Sequence, residues 1–126
     1  MTGIAERPLP TIEVHPNLHG QLAALAAGRT LVIGYFASSR CGAVVGDFVV
    51  SWRRRSPGRG YVALSPVEGV PIHADRRLLD VLGRSGPLLW PANLFHRGTP
   101  SIRLAVSELW IEFLESPLAM CPGATT

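Results

Sequence analysis

The chain contains no lysine, only two cysteines (Cys41 and Cys121), and no apolar run approaching the ~20 residues a membrane helix requires. Each scarcity removes a class of function. Two thiols are too few for a disulfide-stapled scaffold, and they read as thiols of a reducing compartment rather than as a bridge. The longest apolar stretches, residues 30–37 and 42–52, are short and broken by polar residues, so no membrane span is expected. Residues 1–10 hold Pro8 and Pro10 and no apolar centre, which does not fit a secretory leader, and a cytoplasmic protein is expected. A Gly-rich phosphate loop is missing: Gly58-Arg59-Gly60 is a turn with no helix opening after it. No carboxylates stand paired for acid–base work. Asp75 and Asp80 bracket a short helix, and Glu108, Glu112 and Glu115 read as a solvated face. The expectation is a protein that is not an enzyme.

What is there suits one compact domain. The chain has 126 residues, 47% apolar and 17% charged, and a chain of that size buries roughly two-thirds of its unfolded surface without a staple. Twelve arginines face nine acidic residues, for a net charge of +3. Arginine to the exclusion of lysine reads first as a codon-usage bias and only second as chemistry.

Periodicity gives the coarse organisation. Residues 1–14 read as an extended N-terminal arm, with a short strand over 11–14. Residues 15–117 read as a single β-rich α+β domain, and 118–126 as a loose C-terminal tail. His15-Pro16-Asn17 is a turn with Asn17 as N-cap, and Leu18, Leu22 and Leu25 mark a short helix ended by Gly28. Residues 30–37 form a strand and 38–42 a loop. Residues 43–53 then alternate, with Val44, Phe48, Val50 and Trp52 on one side and Val45, Asp47, Val49, Ser51 and Arg53 on the other. Residues 54–60 are expected to be a hairpin tip, with 61–65 as the returning strand and 70–74 as a further short strand. Asp75 caps a helix over 76–82 that Gly83 ends. A strand over 101–107 and a short helix over 108–115, capped by Ser107, complete the order. Strands dominate and do not alternate with long helices, which excludes a doubly wound parallel sheet.

This order resembles the HesB-like fold of A-type iron–sulfur carrier proteins. The stretches that carry the resemblance are residues 31–42 (LVIGYFASSRCG), the strand over 44–52, residues 70–79 (VPIHADRRLL) and Cys121. The resemblance implies a compact β-rich HesB-like domain with two or three short helices. It also implies thiolate chemistry, with Cys41 at the loop position and Cys121 as one member of a C-terminal pair. The second member is missing, because position 119 is Ala and position 123 is Gly. The function expected is therefore non-enzymatic iron–sulfur or metal handling, with an iron–sulfur cluster or a single metal ion as the cofactor. Two protomers would supply Cys41 and Cys121 twice, enough thiolates for a cluster that typically takes four. The alternative is a small interaction or assembly module of the same fold that has lost its ligands.

Other residues offer less. Arg40 beside Cys41 would favour a thiolate, but no histidine among His15, His19, His73 and His96 is placed near it by spacing. Arg53, Arg54, Arg55 and Arg59 form the one dense charge feature, flanked by Trp52 and Tyr61. Such a set can hold phosphates, yet four arginines and a charge of +3 favour a solvated tip over a nucleic-acid partner. The apolar segments around Leu88–Phe95 and Leu109–Leu114 point to a homo-oligomer or a protein partner.

Overall fold

β-Branched and aromatic residues crowd the stretch 30–75, and that stretch builds the larger sheet. A computed structural model describes residues 9–91, 100–117 and 119. In chain order the elements are β1 (Glu13–Val14), a 3-10 turn (Pro16–Leu18), α1 (Leu22–Ala26), β2 (Thr30–Arg40) and β3 (Ala43–Arg53). There follow β4 (Tyr61–Val67), β5 (Val70–Asp75), a 3-10 turn (Arg76–Leu78), α2 (Leu79–Ser85), β6 (Leu88–Trp90), β7 (Ser101–Arg103) and α3 (Ser107–Leu114). This is a mixed α+β fold with two sheets, ordered β3-β2-β5-β4 and β1-β6-β7.

Two tight turns set the larger sheet. β2 and β3 pair antiparallel along their whole length, from Thr30↔Arg53 to Arg40↔Ala43, leaving only Cys41 and Gly42 between them. Both have positive φ, 51° and 82°, the mark of a type I′ turn whose twist matches the strands it joins. β4 and β5 are joined in the same way through Glu68 and Gly69, with φ of 52° and 80°. β5 then lies parallel to β2, with Leu31 opposite Ile72 and Ile33 opposite Ala74.

The expected hairpin over 54–60 does not form. β3 and β4 occupy opposite edges of the sheet, so residues 54–60 are a crossover between the edges. A local pattern of strand, Pro-Gly turn and strand suggests a hairpin, but the partners of both strands come from elsewhere in the chain. The loop expected over 38–42 is likewise two residues long, because β2 runs on to Arg40.

The core lies on the inner face of this sheet. Leu31, Ile33, Leu64, Val70, Ile72 and Ala74 meet Leu18, Leu22, Leu78 and Leu82 from the helical segments. The described part of the expected N-terminal arm is docked: Ile12 is in the core, and β1 pairs parallel with β6. In the expected tail, Ala119 is buried, and its carbonyl accepts the Tyr35 hydroxyl at 3.2 Å.

Several helix ends differ from expectation. His15 rather than Asn17 caps the first turn, its Nδ1 accepting the Asn17 N–H at 3.0 Å. Asp75 caps as expected, accepting Arg77 N–H at 2.9 Å, but Gly83 lies inside α2 and the left-handed Gly86 ends it. Val106 precedes α3 as N-cap, so Ser107 is its first residue. α3 crosses the inner face of the β2–β3 hairpin. Trp110 stacks on Phe48 with centroids 4.1 Å apart, and Phe113 meets Tyr35 edge-on at 5.0 Å. Leu114 enters a notch between Ala37 and Gly46. A Cβ on Gly46 would overlap the Phe36 carbonyl oxygen and lie 2.9 Å from Leu114, so only glycine lets the helix end seat there.

Candidate functional site

Three features remain once the core is accounted for: the hairpin tip, the hairpin's outer face and the crossover. The tip carries Cys41, which is exposed. It is held out by eleven-residue strands on each side, on a turn of two residues. Among the described residues no three of His, Cys, Asp or Glu converge as a metal site. Cys121, its expected co-ligand, lies outside the described residues, as does His96. The donor set that the described part of one protomer offers at the tip is one thiol, which does not fit an iron–sulfur cluster by itself.

The outer face of the hairpin follows from the register. Gly34, Phe36 and Ser38 stand opposite Val49, Asp47 and Val45. Phe36 is therefore diagonal to both valines on one face, within reach of each. All three are open to solvent: Phe36 is 54% exposed, Val45 44% and Val49 46%. Asp47 sits between the valines and accepts the Phe48 N–H at 2.7 Å. Tyr61 from β4 bounds the strip below, its hydroxyl 3.6 Å from where a Cβ on Gly34 would be. The alternation of β3 was legible in the sequence, but which of its two apolar faces stays uncovered was not.

The apolar surface expected on the C-terminal helix is mostly internal. Phe113 and Leu114 are buried, and Ile111 is the large apolar residue that α3 exposes. The other expected segment lies partly outside the described residues; within it, Leu89 is buried and Trp90 is covered by Arg103 at 3.6 Å. His73 alternates with the buried Ile72 and Ala74 along β5 and so lies on the opposite face. It is only partly exposed, and its Nδ1 is buried without a hydrogen-bond partner among the described residues.

A shallow hollow of about 110 Å³ lies between α2 and α3, lined by Arg77, Arg84, Leu109, Glu112 and Phe113. Its charges are spoken for. Arg84 bonds Glu112 at 3.3 Å and Asp80 at 3.4 Å, and these bonds, Glu112 first, hold its guanidinium above the ordinary arginine range. Arg77 grips Asp75 at 2.9 Å and covers the Tyr35 ring. The hollow is therefore a helix–helix clasp.

The crossover carries Arg54, Arg55 and Arg59, with Arg53 at its start, all exposed. Arg76 joins them: its N–H donates to Gly60 O at 2.8 Å and its Nη2 to Arg59 O at 3.3 Å. Sequence reasoning missed Arg76, because only the β4–β5 pairing returns it to the crossover. The two flanking aromatics are engaged. Arg29 lies over the half-buried Trp52, and Tyr61 reaches across to Gly34.

No family model matches the chain, and no curated protein matches it.

Proposed function

We propose that the protein is a non-enzymatic assembly module that self-associates through the outer face of the β2–β3 hairpin. The observation that carries this reading is the exposed strip Phe36–Val45–Val49, on a hairpin whose inner face α3 already covers. Apolar surface gathered on one face is where association releases water most effectively. A second copy is the occupant that the strip itself fits. Two copies laid outer face to outer face, with β3 antiparallel about Asp47, bring Val45 against the partner's Val49 and Phe36 against the partner's Phe36. The strip is smaller than the ~800 Å² per partner of a standard interface, so the association is expected to be weak.

Light scattering over a range of micromolar concentrations tests it. The mass is expected to rise with concentration, and Val49→Glu is expected to weaken association by about tenfold or more, ~1.4 kcal/mol. Asp47 meets the partner's Asp47 in this arrangement, so Asp47→Asn is expected to strengthen association. A clean monomer throughout, or an Asp47→Asn variant that associates no better, sinks the proposal.

A second reading rests on the exposure of Cys41 at the apex of the hairpin. Here two tips come together, and Cys41 with Cys121 from each copy holds an iron–sulfur cluster or a single metal ion. The two readings exclude each other geometrically, because the antiparallel arrangement sends the tips to opposite ends. Anaerobic reconstitution with iron and sulfide is the test. Colour and bound iron that Cys41→Ser abolishes would support the metal reading; colourless wild-type protein without metal would end it.

A further inference from the structure

The arginines of this chain are sorted by the fold. Arg77 and Arg84 are paired with Asp75, Asp80 and Glu112. Arg29 closes the end of α1 by donating to the Leu25 and Ala26 carbonyls at 2.9 Å, and Arg103 lies on Trp90. Arg53, Arg54, Arg55, Arg59 and Arg76 are the remainder whose side chains are described. None of these five meets a carboxylate among the described residues, and all are exposed. They lie on one connected piece of structure, the crossover and the strand end it is bonded to. The stretch 53–60, Arg-Arg-Arg-Ser-Pro-Gly-Arg-Gly, carries four positive charges and no acid.

A solvated hairpin tip would explain four arginines by solubility alone, but the segment is not a tip. It crosses from one edge of the sheet to the other, about 14 Å at three interstrand spacings, and so spreads its charges over a surface. Arg76 then adds a fifth charge from β5's end of the crossover. Guanidiniums that meet no carboxylate among the described residues, on a stretch without an acid, suit phosphodiester oxygens, which they bind through paired N–H groups. Trp52 already carries Arg29 over its ring and Tyr61 turns its hydroxyl toward Gly34, so the arginines rather than base stacking carry the surface.

We infer that the crossover is a nucleic-acid-binding surface that grips the phosphate backbone without reading bases, through Arg53, Arg54, Arg55, Arg59 and Arg76. Such a surface binds by releasing counterions. With about four phosphates contacted on a duplex, log K falls with log salt at a slope of about −3.6, so affinity drops roughly 150-fold between about 50 and about 200 mM salt.

The experiment is fluorescence anisotropy of a labelled random-sequence duplex DNA, and of one of its strands, with the full chain across that salt range. Binding at low salt is expected for both probes within a few-fold, with the slope above for the duplex and about −2.8 for the single strand. The triple substitution Arg54→Ala, Arg55→Ala, Arg59→Ala is expected to reduce affinity at least tenfold and to flatten the slope by two or more. Its circular dichroism is expected to be unchanged, since these side chains hold nothing in the fold. Arg54→Ala alone provides a milder second variant. Absence of binding at low salt, a slope shallower than about −2, or equal affinity of the variants overturns the inference. So does binding to vesicles of anionic lipid with none to DNA, which would make the surface a membrane contact.

Discussion

Cys41 occupies a backbone position that most L-residues avoid. At φ 51° its Cβ crowds the following carbonyl, a cost of order 1–2 kcal/mol that asparagine largely escapes. Type I′ turns favour Asn-Gly for that reason. Here Gly42 supplies the second left-handed residue, and cysteine stands where asparagine would be better. Cys41→Asn is therefore expected to raise stability by about 0.5–1 kcal/mol, read as a higher urea midpoint at unchanged m. Cys41→Val, which adds a β-branch, should lower it by a similar amount. A lower midpoint for the asparagine variant would mean that the thiol supports the fold. The expected gain leaves the cysteine without a folding reason, so a use for its chemistry has to be sought at the surface.

At the scale of elements, alternation marked β3, and β-branched density marked the start of β2. Its end was hidden by Ser38, Ser39 and Arg40, which are polar because the hairpin tip projects beyond the core. The Cys-Gly turn lacks the usual Asn, so its tightness left little local signal. The crossover was misread for a different reason. Tyr61 and Arg53 border a Pro-Gly stretch, but β3 finds β2 and β4 finds β5, and no local pattern encodes that choice. The same non-locality governs the candidate sites. Arg76 reaches the arginine surface through β4–β5 pairing, and the outer strip is recognisable only once α3 is known to cover the opposite face. β4, the other edge, is blunted by Pro66 and a bulge between Leu64 and Val67. β3 has neither device, although β7 runs beside part of it. A protected edge on one side and an unprotected apolar strip on the other fit a molecule that associates through one particular face.

For the whole molecule, α3 decides whether that arrangement is stable. The β2–β3 hairpin projects past the core formed by Leu31, Ile33 and Ile72, so its outer half has few inner-face partners except Trp110, Phe113 and Leu114. Without the helix the ribbon would expose apolar residues on both faces. Phe113 touches Tyr35 and Trp110 and is 7% exposed, whereas Ile111 on the same helix is 54% exposed. Phe113→Ala is expected to cost about 3–5 kcal/mol, as removal of a buried ring does, and Ile111→Ala less than about 0.5 kcal/mol. Chemical denaturation followed by tryptophan fluorescence and by far-ultraviolet circular dichroism measures both. In a Trp52→Phe, Trp90→Phe background Trp110 alone reports on α3 while the sheets dominate the dichroism, and the two transitions are expected to coincide when Phe113 is present. If Phe113→Ala shifted only the fluorescence transition, α3 would be an independent attachment. The outer strip would then be one of two open faces rather than the single face left for a second copy.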